Sequence, residues 1–263
     1  MRRPHPALSV LLAAASAALP LALGASTGCG GGSGGAGSTG TGGASPEPVT
    51  VILHPSAPPL TGQSDCTVTI TTGIPVTSAQ HVAPCTTVDY ATNPPSGGDH
   101  WQVWAAFAKY DLPVPREMYV HNMEHGALIL LHHTDPVDHD SVVATLNEVF
   151  DQTSEPFCAK QGGAPARLIV TPDPELATPI AIGGWGAIYT ATCLDKASID
   201  DFITQHIGKG TEAVCADGQN PALIQSVCAG GTGGGGAGGS GAGGSGGAGG
   251  SGGAGGSGGA GGS

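Results

Sequence analysis

The sequence predicts an α+β fold: one compact domain with a small mixed or antiparallel sheet and a few helices, stabilised by disulfides. Three observations carry this. Short Val/Ile/Thr-rich runs mix with helix-period stretches, without the strict alternation that marks a doubly wound parallel sheet. The patterned runs are confined to residues 46–228, a span long enough to bury one hydrophobic core. The same span holds six of the seven cysteines, an even number that suits three crosslinks.

Taken in order, residues 49–53 and 67–71 are β-branched runs with proline-bearing turns between them, hence strands. Residues 127–131 are continuously aliphatic, which implies a strand buried on both faces. Residues 167–171 and 179–182 are two further strands, separated by the turn-forming P-D-P-E stretch. In 141–150, Val142, Val143, Leu146, Val149 and Phe150 recur at helical spacing. In 197–206, Ile199, Phe202 and Ile203 share a face and Ser198 is the expected cap. Residues 91–115 form a long loop. Pro94-Pro95 and Gly97-Gly98 interrupt regular structure at its start, and Trp101 and Trp104 argue that it is ordered.

The ends have a different composition. Residues 1–28 read as a signal peptide of the lipoprotein type: Arg2 and Arg3, an apolar stretch over 7–23, then Ser26-Thr27-Gly28-Cys29. Cys29 would become the lipid-bearing residue, although Ser26 stands where such motifs usually have Leu. Residues 29–45 are a Gly/Ser-rich tether, and residues 229–263 repeat G-G-A-G-G-S as a tail with no side chains to build a core. The expectation is an exported lipoprotein, anchored to a membrane of the bacterial cell envelope by its lipid. A net charge of −12 argues against nucleic acid or anionic membrane surfaces as partners.

With Cys29 set aside, the disulfide candidates are Cys66, Cys85, Cys158, Cys193, Cys215 and Cys228. Nearest-neighbour pairing (66–85, 158–193, 215–228) is the expected connectivity. No C-x-x-C occurs, which argues against a thioredoxin-like redox motif and a cysteine-based zinc knuckle.

The chemistry concentrates in V-H-N-M-E-H-G, residues 120–126. His121 and His125 share a face whether the backbone is a helix or a strand, since four is one helical turn and also an even number. Helix is consistent with Pro115 at its start and Gly126 as its stop. Glu124 then joins His121 at i+3, a donor set that suits zinc or another divalent ion. A strand would instead align His121, Met123 and His125, and a thioether favours copper. H-N-M-E-H also matches H-x-x-E-H, the inverted zinc-protease pattern, but the long flanking helix of those enzymes is missing. The bland alternative makes the histidines structural, hydrogen-bonded to carbonyls or paired with Glu124.

N-P-P-S-G-G-D-H-W-x-x-W (93–104), Y-D-x-P-V-P (110–115) and V-H-N-M-E-H-G (120–126) resemble the exported bacterial family DUF3105, with its N-P-P-T-S-G-x-H and H-x-L-E-H-G elements. V-T-P-D-P (170–174), A-I-G-G-W-G (181–186) and I-D-D-F-I (199–203) extend the resemblance over about 81–208. It implies an exported domain with a histidine-rich face and brings no established activity. Carried over by position, it marks His100, His121, Glu124 and His125, with His81 as a further match. Gly97-Gly98-Asp99 and Met123 depart from the family's usual residues.

The reading that follows is a domain that binds a transition-metal ion through His121, His125 and His100, with His81 or Met123 completing the set. Copper is expected ahead of zinc, and Glu124 is expected to orient a ligand ring by accepting its N–H. The alternatives are a structural or ligand-binding module with core histidines, and a metal-dependent hydrolase with Glu124 as base. His132, His133 and His139, beside Asp135, Asp138 and Asp140, read as a solvated turn, with a secondary cation site as the alternative.

Overall fold

The computed structural model describes residues 47–134 and 137–230. The expected signal peptide, Cys29 and the tether lie outside the described residues. So does the expected tail, apart from Ala229 and Gly230, which close the last helix.

In chain order the elements are β1 (Val49–Leu53), β2 (Val68–Thr72), β3 (His81–Val82), β4 (His100–Trp101), α1 (Arg116–Glu124), β5 (Leu128–His132), α2 (His139–Gln152), α3 (Pro156–Gln161), β6 (Leu168–Pro172), β7 (Ile180–Gly184), β8 (Ala187–Ala191), α4 (Lys196–His206) and α5 (Pro221–Gly230). Six strands form a mixed sheet in the order β1-β2-β8-β7-β5-β6, and β3 and β4 form a separate two-stranded parallel pair. Only β5–β6 is parallel within the large sheet, and the connection between them runs through α2 and α3. The α+β class with a mixed sheet, a few helices and disulfides is therefore the observed architecture. Among the described residues no helix is long and apolar enough to cross a membrane.

β5 shows how the sheet is buried. Its residues alternate by side, as a strand must. Leu128 and Leu130 pack in the core formed with Val142 and Leu146 of α2 and Phe202 of α4. Ile129 and Leu131 pack in a second core with Met118, Val120 and Met123 of α1. The sheet thus has α2 and α4 on one face and α1 with the 101–114 segment on the other. That is why residues 127–131 carry no polar alternation.

Several expectations are corrected in detail. The cap of α4 is Asp195, whose carboxylate accepts from Ser198 N at 3.1 Å. Ser198 lies inside the first turn, and its hydroxyl bonds Tyr189 Oη at 2.9 Å. α3, α5 and β8 are elements that the periodicity did not mark. The disulfides join Cys66–Cys193, Cys85–Cys228 and Cys158–Cys215, not sequence neighbours. The first link follows from topology: β2 pairs with β8 antiparallel, Val68 opposite Ala191, so cysteines flanking those strands meet 127 residues apart in sequence. Each such link removes chain entropy from the unfolded state, typically about 2–4 kcal/mol.

Candidate metal centre

Two short elements deliver two of the histidines. The parallel pairing of β3 with β4 sets His81 directly opposite His100. Parallel partners project to the same side, so the two rings meet edge to face with centroids 4.9 Å apart. The approach to His100 needs glycine. Gly97 (φ +133°) and Gly98 (φ +134°) hold backbone conformations that L side chains avoid, and a Cβ on Gly97 would stand 2.6 Å from Val76 Cγ2. Asp99 then pins the neighbouring strand, accepting from Gln80 N at 2.9 Å and from the Ser78 hydroxyl.

The other donors come from α1. Pro115 starts the helix, its carbonyl accepting from Met118 N and Tyr119 N, and His125 is its C-cap before Gly126 at φ +85°. The helical reading of 120–126 is therefore the observed one, and the strand alternative falls. Helical period turns His121 and Glu124 toward β4 and puts Met123 on the opposite side. Met123 is fully buried in the core against the sheet, where its Sδ and Cε occupy the space beside Gly183. Met123, expected as a possible ligand, is thus a core side chain.

One ligand atom from each of His81, His100, His121 and Glu124 lies within 4.8 Å of the others, a group that could hold a metal ion. The hydrogen bonds decide how these donors are presented. His100 Nδ1 stands 2.8 Å from Gly98 O and His121 Nδ1 stands 2.6 Å from Trp101 O. A carbonyl can only accept, so both Nδ1 atoms carry a proton, and in the neutral ring the lone pair is on Nε2. His100 Nε2 nevertheless lies 3.0 Å from Glu124 Oε2, and His81 Nε2 lies 3.5 Å from the same oxygen. With its lone pair on Nε2, His100 faces the buried carboxylate favourably only if a positive centre, a metal ion or a second ring proton, stands between them. Fixing the tautomer through a backbone carbonyl is also how ligating histidines are commonly oriented.

Burial keeps His121 neutral, holding its pKa down at about 4. Its hydrogen bond to Trp101 O opposes that, and His125, His100 and His81 add to the depression. His125 is likewise pushed down to about 4 by burial first, then by His100, Arg167 and His81. His121 therefore offers its lone pair at neutral pH with no proton to release.

His125 is beside this group and outside it. Its ring lies 4.6 Å from that of His121, but Nε2 faces Glu212 Oε2 at 3.3 Å. Its Nδ1 is buried without a hydrogen-bond partner among the described residues. The segment bearing Glu212 explains the separation. Gly208 N and Glu212 N bond Gly126 O and Glu124 O, and Gly210 fits where a Cβ would strike Glu124 O and Gly126 N. This segment covers the end of α1, and Cys158–Cys215 fixes it to α3. The H-x-x-E-H pattern needs both histidines on one ion with the glutamate apart. Here Glu124 is among the four and His125 is not.

Several residues shape the site without having been expected as ligands, and of these the sequence marked only Trp104, as part of the ordered loop. Asn122, fully buried, bonds both backbone groups of Ala105 (2.9 and 2.8 Å), locking the loop to α1. Its place inside the motif was the available signal. Trp104 lies 5.1 Å from His121 and 4.8 Å from His125, with Nε1 bonded to Ala216 O at 3.2 Å. Thr211 Oγ1 reaches Glu124 Oε1 at 3.4 Å. Nothing local in the sequence points to Thr211 or Glu212.

A family model described as "Protein of unknown function (DUF3105)" matches residues 81–218, more than half of the chain. The chain belongs to DUF3105. The matched span begins at His81 and contains all four members of the cluster. It also takes in Glu212 and Cys215, beyond the range the motifs had outlined. No curated protein and no solved structure matches the chain.

Proposed function

We propose that this DUF3105 domain binds one divalent transition-metal ion through His81, His100, His121 and Glu124, with zinc ahead of copper. The observation that carries the reading is the convergence on one Glu124 oxygen of two imidazole Nε2 atoms, His100 with its proton already committed to a backbone carbonyl. Three imidazoles and a carboxylate suit zinc. The preference for copper weakens because the thioether of Met123 is in the core, away from the donors. The proposed setting is outside the cytoplasm, on a membrane anchored through a lipid at Cys29. Three disulfides support an oxidising compartment. No protein partner is proposed.

A structural reading competes on one observation: at 3.0 Å, a protonated His100 would donate to Glu124 and satisfy the pair without metal. Elemental analysis separates the two. The chain, extracted from membranes with detergent, should carry about one equivalent of zinc or copper. His121→Ala should lose it while keeping a cooperative melt. A metal-free wild type whose melting point no added ion shifts would return the histidines to the core.

A further inference from the structure

We infer that His81 is the exchangeable ligand of this site, through which the ion passes to and from an outside nitrogen donor of the imidazole type. The domain would then transfer its metal instead of locking it in. This rests on the metal-binding reading above.

The four donors are held unequally. His100 and Glu124 have side chains 0% and 10% exposed, whereas that of His81 is 49% exposed. His100 and His121 are each oriented by a carbonyl on Nδ1, and Glu124 by Thr211 and by a helix whose end is covered. The His81 ring has no hydrogen bond to the described residues. It touches the site only through the 3.5 Å approach to Glu124, the edge of His100 and a stack on His121 at 4.7 Å.

Its backbone, in contrast, is fixed on both sides. His100 N bonds Gln80 O and Gln102 N bonds Val82 O, both at 3.1 Å, and Cys85–Cys228 ties the following turn to α5. Opening the site therefore needs rotation of one side chain and no movement of the chain, a fast process for an exposed ring. Losing the partner that orients a ligating histidine typically costs 10–100-fold in metal affinity, so the ring that has none is the first to leave. Three fixed donors with a fourth position facing solvent match an open site more than a closed structural one.

The step is a ligand exchange. The incoming nitrogen lone pair forms its bond to the ion as the His81 Nε2 bond breaks, and no electron or proton changes hands.

The test uses the full chain loaded with Co(II), read by visible absorption, and with zinc, removed by a colorimetric chelator. Wild type should load one equivalent and release zinc at a rate that rises with chelator concentration. His81→Ala should still load one equivalent, release it at least ~10-fold faster, and show an altered Co(II) spectrum that millimolar imidazole moves back toward wild type. Loss of all uptake in His81→Ala overturns the inference, because the ligand would then be obligatory. An unchanged spectrum and release rate in that variant overturn it too, as does wild-type release independent of chelator concentration. No uptake by the wild type overturns the metal reading itself, and this inference with it.

Discussion

The His81–His100–His121–Glu124 group and the His132–His139 pair both bring imidazoles close together, yet they differ in every surrounding contact. In the first, two Nδ1 protons go to carbonyls, and His100 Nε2 faces a buried carboxylate at 3.0 Å. In the second, His132 is buried with Nδ1 lacking a partner among the described residues, and the His139 ring lies 5.1 Å away. The carboxylates nearby are engaged elsewhere or exposed. Asp138 accepts from Thr61 N at 2.6 Å, and Asp140, 3.5 Å from His139 Nδ1, is fully exposed. Clustered imidazoles can hold a cation when lone pairs are turned toward a common point and a negative charge stands among them. Without those two conditions a buried imidazole is only a polar group to be accommodated.

The largest expected effect breaks the comparison at the carboxylate. Glu124→Gln keeps the shape and removes the charge, so zinc affinity should fall roughly 100-fold or more, about 2.7 kcal/mol. His132→Leu should bind as wild type does. Isothermal titration of both variants reads this. The melt gives a second check: zinc at ~100 times the wild-type Kd should stabilise the wild type by about 2.7 kcal/mol, and Glu124→Gln by no more than about 0.4 kcal/mol. An equal loss in both variants, or none in Glu124→Gln, would erase the distinction between the two clusters.

The same contrast shows what a single sequence can carry. The strands, the two amphipathic helices and the stop at Gly126 depend on local pattern, and they are found within a residue or two of where pattern puts them. His121 was legible because one helical turn aligns it with Glu124. That Glu124 faces the donors and His125 does not was out of reach. By helical angle His125 is the nearer neighbour of His121, and only the docking of residues 208–212 assigns it to Glu212. The parallel pairing of His81 with His100 and the crosslink of Cys66 to Cys193 are likewise long-range events. β8 begins at a Trp185-Gly186 turn, with Gly186 at φ +67°, and its Ala-rich sequence lacks the β-branched density that marks β2.

A smaller effect sharpens the comparison through pH. Burial, with His139 adding to it, lowers the pKa of His132 below its ordinary value, while a backbone contact with His133 opposes. The unfolded chain therefore binds the proton more readily than the folded one. The stabilisation is complete above about pH 6.5 and is lost as pH falls through that value toward the folded pKa. The slope cannot exceed about 1.4 kcal/mol per pH unit for one proton. In metal-free protein, His132→Leu should flatten the fall in urea midpoint between pH 7 and 5 by His132's share. The slope that remains belongs to His121 and His125, both held at about 4, and to His206, which burial also lowers, all with the same sign. A variant with the full wild-type slope would show that His132 is not among the groups that resist protonation.

The smallest effect tests whether His139 contributes anything to its pair beyond proximity. Its side chain is 38% exposed, and truncation to Ala takes no hydrogen bond from a buried group. The change in stability should stay within ~0.5 kcal/mol, as for most surface substitutions. One of the influences that lowers His132 would nevertheless be gone. The imidazole titration of His132, followed by NMR in the metal-free protein, should therefore move up in His139→Ala, toward the ordinary histidine value but short of it, because burial remains. A shift with no stability change would assign the coupling to charge alone. An unmoved titration would mean that burial by itself holds His132 neutral, and that the two rings are neighbours without being a pair.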